Sequence, residues 1–509
     1  MTAFSLDPEQ TAWCAELRTL AAERLRPLAE KGEPGRVNRP LVEALGELGL
    51  LGCLFDEGPA GGSERGSTDS VRREGGSASA GRLGGGSGSV VGSGRDVAAA
   101  VGAGQGSAPA GRPGGGSAPH VASGQGSSLV ADSGRASAPD VQPGQTVGAA
   151  VGSGRGSAPT IRPGGGSGPA LGPSHGAPPA RGTGALDLCL MRESLAYACT
   201  EAETALALQG LGAYPVHAHG TAAQRERWLP LVRAGRAIAA FALSEPGAGS
   251  DAAALSLTAT PDGSRSGPGT RSGSQGWRLT GEKCWISNAP DADFYTVFAR
   301  TSPGAGARGV TAFLVPADRV GLTGTRLDML SPHPIGALAF DGVRVGPEDV
   351  LGEVDRGFRV AMTTLNRFRP SVGAFAVGMA AAALDATLAY TAERDAFGGK
   401  LKDLQSVAHQ IAEMATRTEA ARLMVYAAAS AYDREGAGAP GIARRAAMAK
   451  LLATENAQYV VDAAVQLHGA RALQRGHLLE HLYREVRAPR IYEGASEVQR
   501  TIIAKELYG

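Results

Sequence analysis

Four short stretches hold the side chains that could do chemistry. Glu493 stands just before Gly494 in Ile491-Tyr492-Glu493-Gly494-Ala495-Ser496-Glu497, where a new amphipathic segment begins. A carboxylate at such a point can act as a general base if its surroundings raise its proton affinity; a lone Glu there is otherwise an ordinary surface residue. Phe241 to Asp251, Phe-Ala-Leu-Ser-Glu-Pro-Gly-Ala-Gly-Ser-Asp, reads as a strand end entering a glycine-rich turn. Its backbone N–H groups, with the hydroxyls of Ser244 and Ser250, can hold carbonyl and phosphate oxygens, although a surface loop is the plainer reading. Cys284-Trp285-Ile286-Ser287-Asn288 offers a flat aromatic face, or a strand Trp packed in a core. In Arg394-Asp395-Ala396-Phe397-Gly398 the planar fork of Arg394 matches phosphate oxygens, or the stretch is a solvated helix end capped by Gly398.

The elements that must position these stretches follow from periodicity. Thr11 to Glu30 and Arg39 to Gly49 read as two helices separated by Pro34-Gly35. Leu186 to Gln209 reads as one further helix, with Leu188, Met191, Leu195 and Ala198 on one face, and Gln224 to Ala234 as another. From Ala237 the texture changes. Gly276 to Ser287, Phe294 to Arg300, Val310 to Val315 and Leu338 to Val345 carry β-branched and aromatic residues between glycines, which predicts an antiparallel β-domain, with Ser264 to Ser274 a polar hairpin loop. Beyond Gly357 helical spacing returns in Phe368, Val372, Phe375 and Met379 and in Ile411, Met414, Thr418, Ala421 and Val425. Ala443 to Leu467 is apolar enough for a bundle interior.

Between Gly58 and Gly184 lies about half of the chain's 74 glycines and no Phe, Trp, Tyr, Met, Cys or Lys. Such a composition buries too little apolar surface to offset the entropy of ordering, roughly 1–2 kcal/mol per residue. Gly106-Ser107-Ala108-Pro109 returns as Gly156-Ser157-Ala158-Pro159, but nothing apolar recurs that could stack as a solenoid. The segment is expected to be a disordered, low-complexity insert, and His175 within it has no partner nearby. A net charge of +1 gives no nucleic-acid footprint. Five scattered cysteines without a C-x-x-C pair argue against a disulfide framework or zinc site. No membrane span and no secretory leader are evident, so a cytoplasmic location is expected.

Leu243-Ser244-Glu245-Pro246 through Gly249-Ser250-Asp251, the R-x-x-F-G of Arg394 to Gly398, and Tyr492-Glu493-Gly494 together closely resemble the acyl-CoA dehydrogenase family, over nearly everything outside the insert. The resemblance implies an α+β multidomain fold: an N-terminal helical domain (1–57 and 185–236) interrupted by the insert (58–184), a middle antiparallel β-domain (237–349) and a C-terminal four-helix bundle (350–509). It implies FAD, and oxidation of an acyl-CoA thioester between Cα and Cβ. Glu493 would remove the α-proton, with the β-hydride passing to flavin N5. Cofactor contacts would fall on Phe241, Leu243, Ser244, Gly249, Ser250, Trp285, Ser287, Arg394, Phe397, Gln405, Gln466, Gly469, Ala470, Gly494, Ser496 and Glu497, with Arg394 and Phe397 reaching across a subunit contact. Substrate contacts would fall on Ser250, Asn366, Arg369, Glu493 and Gly494. Some members carry the base on the helix around Asn366, where this chain has Phe368. Two departures stand out: Ala470 replaces a glycine, and Ala495 replaces a threonine at a cofactor contact. His468 reads as a packed histidine. The implied partners are an electron-transferring flavoprotein and further copies of the chain, as a homotetramer or homodimer. The alternatives are an oxygen-using flavin oxidase or monooxygenase of the same fold, or a non-catalytic flavin protein that binds other macromolecules.

Overall fold

The structure, a computed structural model, describes residues 6–55, 184–262 and 276–509. The expected insert (apart from Gly184) and the Ser264–Ser274 loop lie outside the described residues. The chain opens with helix α1 (Pro8–Leu20), a π-helical turn (Ala21–Leu25), α2 (Arg26–Ala29) and α3 (Arg39–Glu47). Asp7 starts α1 through a capping box with Gln10, and Pro8 fits the first helical turn, where no N–H is needed. After the gap come α4 (Ala185–Ala198), α5 (Thr200–His219) and α6 (Ala222–Arg233), the last opened by a capping box between Thr221 and Gln224.

The single helix expected over Leu186 to Gln209 is therefore two. The chain breaks at Cys199, whose backbone is extended (φ −157°, ψ 99°). Arg26 Nε donates to the freed carbonyl of Ala198 at 2.9 Å, and Thr200 Oγ1 meets His481 Nε2 at 2.6 Å. Both helices are buried on most of their faces, so periodicity gave no sign of the break.

Among the described residues, eight strands form one sheet: β1 (Ala239–Ala242), β2 (Thr258–Pro261), β3 (Trp277–Ser287), β4 (Phe294–Arg300), β5 (Val310–Pro316), β6 (Leu322–Arg326), β7 (Ile335–Val345) and β8 (Val350–Leu351). Their order is β6-β7-β3-β2-β4-β5-β8, with β1 beside β4. Most pairs are antiparallel as expected, but β1 and β2 both run parallel to β4. After β1 the chain leaves through the glycine-rich turn and returns by β2 and β3, so β4 comes back in the direction of β1. The sheet runs on through β8, two residues past Asp349.

Three long helices follow, α7 (Gly357–Glu393), α8 (Gln405–Glu435) and α9 (Ile442–His468). A two-residue hairpin, β9 (Asp395–Ala396) and β10 (Gly399–Lys400), joins α7 to α8, and α10 (Leu478–Val486) and α11 (Ser496–Tyr508) close the chain. Gln410 bonds Tyr459 at 2.9 Å and Asn456 bonds the Arg417 carbonyl at 3.0 Å, which sets α8 antiparallel to α9. The fourth long-helix partner of this bundle is α4. Tyr197 bonds Asp385 of α7 at 2.8 Å, and Asp433 of α8 caps the start of α4 through the N–H groups of Ala185 (2.6 Å) and Leu186 (2.9 Å). By length and composition α7 alone among the described helices could cross a membrane, contrary to the expectation of no such run. Its apolar surface is mostly buried against α4, α8 and α9.

The two flanks of the undescribed segment are neighbours. Asp187 is near enough to Cys53 to add to the rise in its thiol pKa, behind the larger effect of burial. Loop closure cost changes by only about 0.6 kcal/mol per doubling of length. A variant lacking residues 61–183 is therefore expected to stay soluble and folded with an undiminished thermal midpoint. An insoluble or non-cooperative product in calorimetry would show that the segment is structural.

Candidate active site

Glu493 lies in the connection between α10 and α11, with a left-handed backbone (φ 52°) that a residue bearing a Cβ adopts only under constraint; Gly494 follows at φ 97°. Side chains from three helices supply that constraint. Arg369 Nε of α7 donates to the Glu493 carbonyl at 3.2 Å. Lys450 Nζ of α9 donates to the Gly494 carbonyl at 2.7 Å. Gln499 Nε2 of α11 donates to both carbonyls, at 3.3 and 2.8 Å. The Glu493 Oε2 atom is buried without a hydrogen-bond partner among the described residues. Burial raises the Glu493 pKa above the usual carboxylate range, and Arg192, Lys450 and Arg369 pull it back only in part. A carboxylate with one buried, uncommitted oxygen is equipped to take a proton.

Asn366 and Arg369, expected at the substrate, are bonded to each other at 2.9 Å, and Arg369 is buried and committed to the turn. Ser496 is buried and donates to Glu455 Oε1 at 2.6 Å, and Glu455 also holds Arg490 at 2.9 Å. Glu497 is exposed. Phe368 is buried against the α5 backbone, so α7 presents no rival carboxylate at that position.

The glycine-rich turn and the Trp285 strand are joined at one point. Glu245 is buried and paired with Lys283 Nζ at 2.8 Å, and it accepts from the Ser256 hydroxyl at 2.7 Å and the Leu257 N–H at 2.9 Å. Lys283 also donates to the Leu243 carbonyl at 2.9 Å, and the Cys284 N–H to that of Ser244 at 3.0 Å. Strand β3 shifts register between Lys283 and Ile286, a bulge that turns Trp285 outward, 49% exposed, at φ 57°. Gly249 and Ser250 are exposed, and a methyl group added at Gly247 or Gly249 would meet nothing within 4 Å. Phe241 of β1 packs against Phe298 with the two rings tilted at 57°, Leu243 is buried, and Ser287 is half-buried at the end of β3. An open turn beside an outward-facing indole fits a flat ring system with polar edges.

Helix α5 brings this region toward Glu493. A Cβ at Gly212 would lie 2.6 Å from the backbone between Ala239 and Ala240, and one at Gly210 would lie 2.8 Å from the Phe368 ring. Only glycine lets β1 and α7 approach the same helix so closely.

The remaining expected cofactor residues sit elsewhere in the chain. Arg394 lies about 37 Å along α7 from Arg369 at the rise of an α-helix. Phe397 and Gly398 form the tip of the β9–β10 hairpin at φ 53° and 83°, with Phe397 89% exposed; the stretch is a hairpin rather than a capped helix end. Gln405, Gln466, Gly469 and Ala470 are exposed. They share this end of the bundle with Arg394, because His468 stacks on Tyr390 at 4.1 Å and the Arg394 N–H bonds the Tyr390 carbonyl at 2.9 Å. His468 is packed as expected, its pKa pushed down to about 4 by burial. The sequence reading missed Lys450, Gln499 and Arg192. The one available signal was a lone Lys within the apolar run of α9.

Residues 174–236, 240–343 and 355–508 match in turn the N-terminal, middle and C-terminal domains of acyl-CoA dehydrogenase. FadE25 of Mycobacterium tuberculosis, a probable acyl-CoA dehydrogenase, is 36% identical over 330 residues, 64% of this chain and 81% of that protein. The solved glutaryl-coenzyme A dehydrogenase complex with glutaryl-CoA is 32% identical with a TM-score of 0.59, covering 64% of this chain and 80% of that one. PigA, solved with FAD and proline, is 29% identical with a TM-score of 0.59 over 64% and 82%. The three matched domains, in this order, and the fold they build make this chain a member of the acyl-CoA dehydrogenase family, an FAD-dependent oxidoreductase acting on acyl-CoA.

Proposed function

We propose that Glu493 is the base that removes the α-proton of an acyl-CoA thioester during oxidation between Cα and Cβ. Bound FAD supplies the acceptor for the β-hydride. The buried, unpartnered Oε2 of Glu493 carries this reading. Its raised pKa brings the base closer to neutrality, where proton transfer is most effective. Negative charge develops on the thioester oxygen as the proton leaves, and a positioned N–H is the general device for stabilising it. The Glu493 N–H makes no main-chain hydrogen bond among the described residues, so it is available for that role. Trp285, Leu243, Ser244, Ser250 and Ser287 would hold the flavin ring, and Gly249 would let it approach the turn.

A second copy of the chain completes the cofactor site in this reading. Arg394, Phe397, Gln405, Gln466, Gly469 and Ala470 cluster far along α7 from Arg369 and face solvent, which suits contacts to a flavin held mainly by another subunit of a dimer or tetramer. An electron-transferring flavoprotein would take the electrons onward.

Anaerobic titration of the yellow protein with butyryl-, octanoyl-, palmitoyl- and branched acyl-CoAs tests the function. At least one is expected to bleach the flavin with stoichiometric enoyl-CoA formed. No bleaching by any of them, or turnover seen only with oxygen present, would overturn it.

A further inference from the structure

The segment Pro332-His333-Pro334, between β6 and β7, is gripped on three sides. The Pro332 carbonyl accepts from the Gly35 N–H, in the connection between α2 and α3, at 3.1 Å. The Pro334 carbonyl accepts from the Asn288 N–H at 2.7 Å. Between them the His333 side chain, 11% exposed, meets that of Glu485 in α10, 1% exposed, with Nε2 and Oε2 2.5 Å apart. The flanking prolines restrict the backbone on both sides of the histidine, so the imidazole is presented at a fixed place.

Each end of this contact leads to a part of the site. Asn288 directly follows Ser287, which is in register with Ile335 of β7. Asn288 is buried, with left-handed backbone (φ 64°), and its side-chain amide donates to the Ala239 carbonyl of β1 at 2.8 Å. The segment is therefore fixed to the end of β3 and, through Asn288, to β1, the strands that lead to Trp285 and to the glycine-rich turn. Glu485 lies eight residues before Glu493, on the helix that leads into its turn. One turn earlier on α10, His481 Nε2 meets Thr200 Oγ1 at the start of α5 at 2.6 Å. Glu485 Oε1 is buried with no hydrogen-bond partner among the described residues, so the carboxylate is held through Oε2.

Burial opposes charge on both groups, yet beside each other the His333 pKa is raised and the Glu485 pKa is lowered, which favours the ionised pair. Glu203 and Glu201 of α5 also face His333, and His481 and Arg484 of α10 face Glu485. A buried ion pair adds little to stability over apolar side chains of the same volume. What it adds is direction: a short charge-assisted contact sets how far α10 stands from the end of β3.

We propose that His333 and Glu485 are positioning residues whose contact sets the spacing between the strand end at Ser287 and the Glu493 turn, the space in which the acyl thioester must fit. The proposal rests on Glu493 being the base and on the flavin lying against Trp285 and Ser287. A displacement of about 1 Å between reacting groups can slow a reaction by about a hundredfold, so a spacer of this kind has leverage on the rate.

The test compares the flavin-loaded wild type with His333→Leu/Glu485→Leu, Glu485→Gln and His333→Arg. The double variant removes the contact without leaving a buried charge unpaired. Glu485→Gln keeps a neutral hydrogen bond. His333→Arg keeps a cation for Glu485, and a cavity of about 230 Å³ bordering His333, lined also by Thr204 and Leu208 of α5, leaves room for the longer stem. Each protein is mixed anaerobically with butyryl- or octanoyl-CoA, whichever reduces the wild type faster, and with the same thioester deuterated at Cα. Thermal midpoint, flavin-to-protein ratio and backbone hydrogen exchange over residues 285–288 and 487–495 are measured beside the rates.

The double variant is expected to keep its FAD and its midpoint. Its limiting rate of flavin reduction should fall by about tenfold to thirtyfold, with little change in the half-saturating acyl-CoA concentration. Its α-deuterium isotope effect should grow, because a displaced base slows proton removal relative to the other steps. Exchange should rise in both segments together. Glu485→Gln should lose about threefold, and His333→Arg should stay within about twofold of the wild-type rate; these two decide if the double variant fails to fold. A wild-type rate and isotope effect in the double variant overturn the proposal, as does a loss of rate that only follows loss of FAD or a lowered midpoint. If no acyl-CoA reduces the wild type, the reading of Glu493 as base fails, while a joint rise in exchange still supports the spacer and its absence overturns it.

Discussion

Glu493→Gln is expected to keep its FAD and to lose flavin reduction by acyl-CoA by about a thousandfold or more. Gln fills the same volume and its backbone can take the same left-handed turn, because Arg369, Lys450 and Gln499 hold the main-chain carbonyls and not the carboxylate. What is lost is the ability to accept a proton. The proposed flavin face, the Leu243–Ser250 turn beside Trp285, is anchored separately by the buried Glu245–Lys283 pair, so yellow colour should survive. Stability should not suffer. The Glu493 pKa is raised in the folded protein, so its favourable contribution is complete below the unfolded carboxylate value of 4.5 and is lost as pH rises through the folded value. At neutral pH a charge-free Gln is therefore at least as well tolerated. The wild-type reduction rate should rise with pH through a limb lying above the ordinary carboxylate range, and the variant should show no such limb. Measurement needs the flavin-to-protein absorbance ratio and the reduction rate on anaerobic mixing. Undiminished bleaching would remove Glu493 from the mechanism.

Sequence patterns marked candidate site residues where these are contiguous. The Leu243–Asp251 turn, Trp285 and Glu493-Gly494 each lie within one short run, so their residue types could be read together. Of the five non-glycine residues with left-handed backbone among the described residues, three are Trp285, Phe397 and Glu493, the others being Asn288 and Asp355; such strain is common at functional positions. Residue spacing alone could not reveal the props beneath them. Lys450 precedes Gly494 by 44 positions and Arg192 precedes Ser371 by 179, so only the packing of α4, α7 and α9 brings them together. The break at Cys199 was hidden for a related reason: it is fixed by Arg26 and His481 from distant parts of the chain, and not by a local glycine or proline. Asn366, Arg369 and Ser496 show the limit from the other side. Their positions were identified from the family pattern, yet in this chain their polar atoms are bonded to other protein groups around the turn.

Lys450→Met is expected to slow flavin reduction by about one to two orders of magnitude while leaving the protein as stable as the wild type or more so. Lys450 is fully buried in α9, and burial pushes its pKa down to about 8 from 10.5. Keeping it charged at neutral pH therefore costs on the order of 3 kcal/mol of folding stability relative to an exposed lysine. Its hydrogen bond to the Gly494 carbonyl returns part of that, about 1.5–3 kcal/mol for a charged donor. Met matches the length of the stem and needs no partner, and Gln499 still satisfies the carbonyl. The turn, however, loses one of the three side chains that hold Glu493 at φ 52°, and Glu493 loses a neighbouring cation. Both changes act on the rate: the carboxylate is less well placed and holds its proton to higher pH. The stability signature has a definite sign. A lysine whose folded pKa is lowered penalises the fold below that pKa, so wild-type stability should gain as pH rises from about 8 to 10.5, and Lys450→Met should lack that gain. Thermal midpoints across this window, set beside reduction rates, separate this role from simple packing. A variant that is much less stable at pH 7 yet reduced at the wild-type rate would mean that Lys450 holds the bundle together and has no part in placing the base.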